Sequence, residues 1–384
     1  MKQSYLLEIG QKIFLLIVFT ILTLVVAEGI LQIVKTNQFF IRKPNRTYLL
    51  KPNSRYLPGI SGPTRFTVNR LGLRGDELRD QEIRILTIGG STTECGYLDD
   101  AEAWPHLLQE GLKQKTGRSV WVGNAGVSGH NARHNIVQLA KLLDQISDID
   151  LVIALIGANE LNMSLRSDYN PLGLDDPAVM KKYLQQSFEV IPRKIRNYRG
   201  LELYKLIRSF FKEKPYLNCR ILGRDLSKDY SYQEYENGSW LMDLRLKRRR
   251  AKKVSLPKGK EASLLIGFDE YRRNIKTLHD LGQKHGVKVL FLTQPDLTLS
   301  QLSETEEDLM QGGSLKTIIP GSDEYLLVSE VRRGQNLLNQ VLLKTGEDNN
   351  LTVMNLSLLI SPHHDSFYGG GGGEGGPCRH SLYL

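Results

Sequence analysis

Ser91 follows the glycine pair Gly89-Gly90, which closes the apolar run Ile83 to Ile88. A short strand that stops at two glycines and a serine lifts a hydroxyl out at the rim of a sheet. The next backbone N–H groups turn into a helix and can stabilise an oxyanion there. Two more segments share this design. Val120-Trp121-Val122 runs into Gly123-Asn124-Ala125-Gly126-Val127-Ser128-Gly129, and Leu151 to Ile156 runs into Gly157-Ala158-Asn159-Glu160. As neighbouring parallel strands the three runs would end on one rim, the place where open α/β sheets bind ligands. Ser91, Gly126 and Asn159 would then meet: a hydroxyl, an unobstructed backbone N–H and an amide side chain. A nucleophile with two oxyanion donors is the minimum for acyl transfer through a tetrahedral intermediate.

In this order the three blocks resemble the SGNH (GDSL-type) hydrolase family. The resemblance implies that Ser91 is the nucleophile, and that its own N–H, the Gly126 N–H and the Asn159 amide surround the oxyanion. The first block reads GGST in place of GDSL. Trp104-Pro105, opening a helix after the serine loop, also resembles family members. The match spans residues 83 to 360 with one long insertion.

A serine hydrolase also needs a base for the hydroxyl proton, normally a histidine oriented by a carboxylate. In the family both stand in a late Asp-x-x-His block. Here that region reads Ser361-Pro362-His363-His364-Asp365-Ser366-Phe367-Tyr368, then a glycine-rich stretch through Pro377-Cys378-Arg379-His380, and contains no Asp-x-x-His. Three readings stand. His363 or His364 serves as base with Asp365 as its acid, His364 being the assignment carried forward; His380 is recruited; or the base is absent. The change to low complexity where the block should begin reads as a shifted reading frame. The remaining histidines are surface or helix residues, with His130 and His134 near the second block.

The composition narrows the alternatives. Three scattered cysteines give neither a disulfide framework nor metal-ligand spacing. Cys95, four residues past Ser91, reads as a small buried filler. No metal or other cofactor is expected. The net charge of +9 gathers at Arg245 to Lys253, RLKRRRAKK. Without a recognition motif or interleaved aromatic residues this is a solvated loop, or a patch for anionic lipid heads or acidic polysaccharide; no nucleic-acid partner is expected. Neither GxxxxGK[ST] nor a GxGxxG turn follows any strand, which argues against nucleotide binding.

Ile13 to Ala27 carries no charge, Glu28 interrupts, and Ile30 to Val34 continues the apolar run. That span is long enough for a bilayer and lacks a cleavage site, so it reads as an uncleaved single-pass anchor. Lys35, Arg42, Lys43 and Arg46 follow it, against Lys2 and Lys12 before it. The positive-inside rule alone would hold the following residues in the cytoplasm, but long domains translocate largely regardless of charge. The expected location of the following domain is extracytoplasmic.

The organisation follows: residues 1–35 anchor, 36–80 connector, 81–368 the α/β domain with a helical insertion at 165–265, and 369–384 a low-complexity tail. Within the connector, Phe66 to Gly75 reads as an edge strand and turn packed on the sheet. Ile136, Leu139, Leu143 and Ile146 mark one amphipathic helix, and Tyr271, Ile275, Leu278 and Leu281 another. Tyr325 to Leu343 reads as a third, capped by Ser322. Val287 to Leu292 and Leu351 to Leu356 are two more strands. Alternating strands and helices give a flavodoxin-like three-layer α/β/α sandwich with a parallel sheet, behind an N-terminal transmembrane helix. The expected activity is that of a serine esterase or acyltransferase on a lipid or acylated glycan; the other reading is an inactive, anchored glycan- or partner-binding protein.

Overall fold

The computed structural model describes residues 2–34, 38–57, 59–60, 62–166, 169–191, 203, 220–221, 224–225, 231–255, 260–295 and 324–359. The chain divides into two compact units, Met1–Phe39 with Val190–Pro215, and Phe40–Glu189 with Tyr216–Leu384.

In the first unit, helix α1 spans Lys2–Val34. Its segment Gly10–Leu31, mean hydropathy 2.7, is long and apolar enough to cross a membrane. The polar Thr20 and Thr23 fit this surface because each hydroxyl donates to a carbonyl one turn back, of Leu16 and Phe19, at 2.8 Å.

The second unit opens with an antiparallel pair, β1 (Arg46–Leu50) and β2 (Thr64–Val68). The main sheet contains β3 (Ile83–Gly89), β4 (Val120–Asn124), β5 (Leu151–Leu155), β6 (Lys288–Leu292) and β7 (Thr352–Met354). Their order is β7-β6-β5-β3-β4, every neighbouring pair parallel. Counted within this sheet the order is 2-1-3-4-5, the flavodoxin-like arrangement, with its switch point between β3 and β5. The central strand β5, LVIAL, is a continuous apolar run because helices cover both faces there, whereas Thr352 and Met354 of edge strand β7 are exposed. Ile85, Val120, Val122, Ile153, Leu155 and Leu292 form one buried cluster, closed by Trp104, Leu108 and Leu112 of α3 (Trp104–Thr116).

Helix α4 (Ala132–Gln145) packs on β3 and the long helix Lys260–Lys284 on both α4 and β6. Both expected helical patterns are therefore realised. The third is corrected: Glu324–Leu326 is a strand paired with Lys252–Val254, and the helix starts at Val328 and ends at Asn349. Tyr325 has helical spacing, but a neighbouring strand supplies backbone partners that local periodicity cannot reveal. The basic run differs too, since its first part lies in the helix Trp240–Arg250, with Arg245 buried.

The segment 64–75 does pack on the sheet. Arg74 exchanges both backbone hydrogen bonds with Asn124, at 3.0 and 3.1 Å, covering the end of edge strand β4.

Candidate active site

Register places the three loops together. Gly89 lies opposite Leu155 and Thr87 opposite Asn124, so the serine loop and the loops after β4 and β5 leave one end of the sheet, around its switch point. Ser91 is the first residue of α2 (Ser91–Glu94), a single turn buried along its whole length.

One turn has almost no internal hydrogen bonding, so it is stable only if its surroundings hold it. Its carbonyls, and two just beyond it, are met by buried or half-buried side-chain donors. Trp104 Nε1 donates to Thr92 O at 2.9 Å and Asn124 Nδ2 to Thr93 O at 2.7 Å. Arg74 Nη1 donates to Glu94 O and Cys95 O at 2.7 and 2.6 Å, and its Nη2 to Leu98 O at 2.7 Å. Cys95 is a buried filler behind the loop, its thiol turned to Thr92 O.

The two glycines before Ser91 permit close approach. A Cβ on Gly90 would stand 2.8 Å from Asn159 Nδ2 and 3.2 Å from His130 O. The first and third loops thus touch beside Ser91. Asn159 Nδ2 also donates to His130 O at 2.8 Å, which joins the third loop to the second. An amide nitrogen carries two hydrogens, and this bond uses one.

Gly126 occupies a different position from an open donor. The N–H groups of Ala125 and Val127 bond back to Thr87 O and Gly89 O, continuing the parallel ladder beyond the strands. Alternation turns the Gly126 N–H the other way, where it donates to Asn124 Oδ1 at 2.9 Å. Gly126 is a glycine for closeness: a Cβ would fall 2.6 Å from that of Thr93. The loop then reverses, with the His130 N–H on Val127 O and the Ser128 N–H on Glu94 Oε2. The half-buried Gly129 keeps a backbone N–H with no hydrogen-bond partner among the described residues. The sequence expectation named Gly126, but which N–H stays open depends on where the ladder stops, and residue types do not encode that.

His130 and His134 are buried, with rings stacked at 4.3 Å. Burial holds both below the ordinary imidazole range, His134 down to about 3. His134 Nδ1 accepts from the Asn131 N–H at 3.2 Å in a capping box at the start of α4. Both are therefore neutral structural groups. Glu160 is buried next to Asn159, accepts from the Ala132 N–H and is pushed by burial up to about 7. His363, His364, Asp365 and His380 lie outside the described residues.

Asp76, His106 and Glu110 bring ligand atoms within 4.8 Å of one another. Gln109 donates to Asp76 at 2.7 Å and Lys113 to Glu110 at 2.7 Å, so both carboxyl groups already have donors and a cation occupies one of them.

Distant similarities are found among solved structures. Axe2, an acetylxylan esterase from Geobacillus stearothermophilus, is 12% identical over 72% of this chain and 78% of its own, with a TM-score of 0.33. The esterase AlinE4, in a mutant form, is 11% identical over 77% and 88%, with a TM-score of 0.36. A lipase/acylhydrolase from Enterococcus faecalis is 14% identical over 74% and 83%, with a TM-score of 0.33. No protein-family model matches the chain, and no curated protein does.

Proposed function

We propose that the chain is a serine esterase or acyltransferase that works through an acyl-enzyme on Ser91. The observation that carries this reading is the contact of the serine loop with the Asn159 amide at Gly90, at the switch point of the sheet. Ser91 Oγ attacks the ester carbonyl as a histidine takes its proton. The second hydrogen of Asn159 Nδ2 stabilises the oxyanion, together with backbone N–H groups of the serine loop and of the second loop. Gly129 is the donor that the hydrogen bonding leaves available in the second loop, and Gly126 lets that loop lie against Thr93. Collapse of the intermediate expels the alcohol, which receives the proton, and water or a sugar hydroxyl then releases the acyl group.

The base in this reading is His364, oriented by Asp365. The stacked pair of His130 and His134 is not assigned this role: both rings are buried, with the Nδ1 of His130 on Gln138 and that of His134 on Asn131. Helix α1 anchors the chain by a single pass, with the catalytic unit outside the cytoplasm, and the ester belongs to a lipid or an acylated glycan of the envelope.

The second reading, an anchored binding protein with the same cleft, is favoured by one observation: no Asp-x-x-His follows Leu356 in the sequence. Hydrolysis of p-nitrophenyl acetate and labelling by a fluorophosphonate separate the two. The enzyme reading expects both in the unaltered chain and neither in Ser91→Ala. It further expects His364→Ala, but not His363→Ala or His380→Ala, to abolish turnover. Equal signals from the unaltered chain and Ser91→Ala would leave the binding reading.

A further inference from the structure

Glu94 closes α2 three residues after Ser91, and its buried carboxylate is shared between two elements. Oε1 accepts from Arg42 Nη2 at 2.6 Å, while Oε2 accepts the Ser128 N–H at 2.8 Å and also the Ser128 hydroxyl. The same Arg42 Nη2 donates to Gly126 O. A carboxylate on the serine loop and a guanidinium from the start of the second unit thus grip the loop 125–130 on both sides. Residue 129, with its open N–H, directly follows the gripped Ser128.

This is a costly way to hold two loops together. Arg42 has no exposed surface, and its Nε and Nη1 have no hydrogen-bond partner among the described residues. Its guanidinium stands 5.3 Å from the Phe66 ring centroid, with that of Arg74 at 4.3 Å from the same ring. Apolar residues of similar volume often fill such a position with no loss of stability. Charge has a use here. An unpaired Glu94 carboxylate on the serine turn would oppose negative charge developing on the carbonyl oxygen, whereas the Arg42 pair cancels it and sets the spacing of the two loops.

We propose that Arg42 and Glu94 are positioning residues for Ser91. The buried pair fixes the serine turn against the second loop, and so fixes the separation of the Ser91 hydroxyl from the donors that receive the oxyanion. The assignment rests on the serine-esterase reading above.

The test uses the full chain in detergent with Arg42→Met, Glu94→Gln and the double variant. Each single variant strands a buried charge and lowers the thermal midpoint; the double variant strands no charge and recovers most of the loss, short of the part due to the Gly126 carbonyl, which has lost its Arg42 donor. Turnover behaves differently. In the double variant kcat on p-nitrophenyl acetate stays about 10- to 100-fold below the unaltered chain, with KM within about twofold, because misplacement of reacting atoms acts on the transition state. The fluorophosphonate labelling rate falls in parallel. Recovery of kcat together with the midpoint would overturn the proposal and leave a purely structural pair.

A second readout keeps the two failures apart. Alkylation of Cys95 by iodoacetamide, followed by peptide mass spectrometry at equal distance below each midpoint, reports opening of the serine turn whether or not the chain hydrolyses esters. If Ser91 supports no turnover in the unaltered chain, the esterase reading fails, and Cys95 decides the positioning claim. Faster alkylation in the double variant keeps it, and an unchanged rate ends it.

Discussion

The Asn159 side chain donates to the His130 carbonyl oxygen at 2.8 Å while standing against Gly90, so a single amide joins all three loops. Under the serine-esterase proposal, its second hydrogen is the one that meets the substrate oxygen. Asn159→Ala is expected to lower kcat by about 10²- to 10³-fold with little change in KM, the usual cost of one oxyanion donor. Asn159→Asp should do worse, because it replaces a donor with a negative charge. Steady-state kinetics of both variants on p-nitrophenyl acetate check this, and a loss confined to KM would contradict it.

Gly90→Ala tests the same contact from the other side. The added Cβ would lie 2.8 Å from Asn159 Nδ2 and 3.2 Å from His130 O, closer than such atoms settle, so the amide must move. The expected result is a fall in kcat comparable with that of Asn159→Ala in a protein that still unfolds cooperatively. A variant with wild-type kcat would mean that the amide has no catalytic part.

These two residues were legible in the sequence because the signal is local: an apolar run, small residues, then one polar group, repeated three times in the order of the fold. Parallel pairing needed no more than that. Arg42, Phe66 and Arg74 carried no such signal. They lie in a polar, proline-punctuated stretch, and only tertiary contact turns the two arginines into buried donors, both to Glu94 and Arg42 also to Gly126 O, with the Phe66 ring beside them. The second-loop donor expected from the sequence, Gly126, has its N–H on Asn124 Oδ1 for a related reason. Whether Gly126 or Gly129 presents its N–H depends on how far the ladder to β3 persists, and residue type does not encode that.

Arg133 and Glu270 form a bidentate pair, both contacts at 2.6 Å and both side chains at most 4% exposed, between α4 and the helix Lys260–Lys284. Tyr169 and Asn170 complete it, by a hydroxyl on Glu270 at 2.7 Å and a carbonyl under Arg133 at 2.6 Å. Glu270→Ala leaves the guanidinium buried without its partner and is expected to cost about 3–5 kcal/mol. Arg133→Met with Glu270→Leu should recover most of that. Denaturant unfolding of the three variants measures it, and a single variant within about 1 kcal/mol of the unaltered chain would show that the pair is hydrated or dispensable.

His134 contributes to the acid side of the stability profile. Its folded proton affinity is depressed from the ordinary 6.5 to about 3, mainly by burial, with the charges of Arg133 and Lys182 adding to the effect. The unfolded chain therefore binds more protons below the unfolded value, so this contribution is complete above pH 6.5 and is lost as pH falls toward 3. His134→Gln keeps an acceptor for the Asn131 N–H, as a capping box requires, without the titration. Its thermal midpoint should trail the unaltered chain near neutrality, where the stacking on His130 is missed, and overtake it near pH 4. Parallel midpoint curves would contradict the assignment.

Glu160 acts in the opposite direction. Burial raises its carboxyl from 4.5 to about 7, and the hydrogen bond from the Ala132 N–H offsets only part of that. Here the folded chain holds the proton more tightly, so the stabilisation is complete below pH 4.5, declines as pH rises and is gone once pH passes about 7. A shift of this size corresponds to roughly 3 kcal/mol as an upper bound. Its Oε2 has no hydrogen-bond partner among the described residues, which makes the ionised form costly and the protonated form comfortable. Glu160→Gln retains an acceptor for Ala132 and cannot ionise. It is expected to match the unaltered chain at pH 4.5 and to exceed its thermal midpoint by several degrees at pH 8. A midpoint difference that does not depend on pH would mean that Glu160 is hydrated in the folded chain and ionises as an ordinary carboxyl.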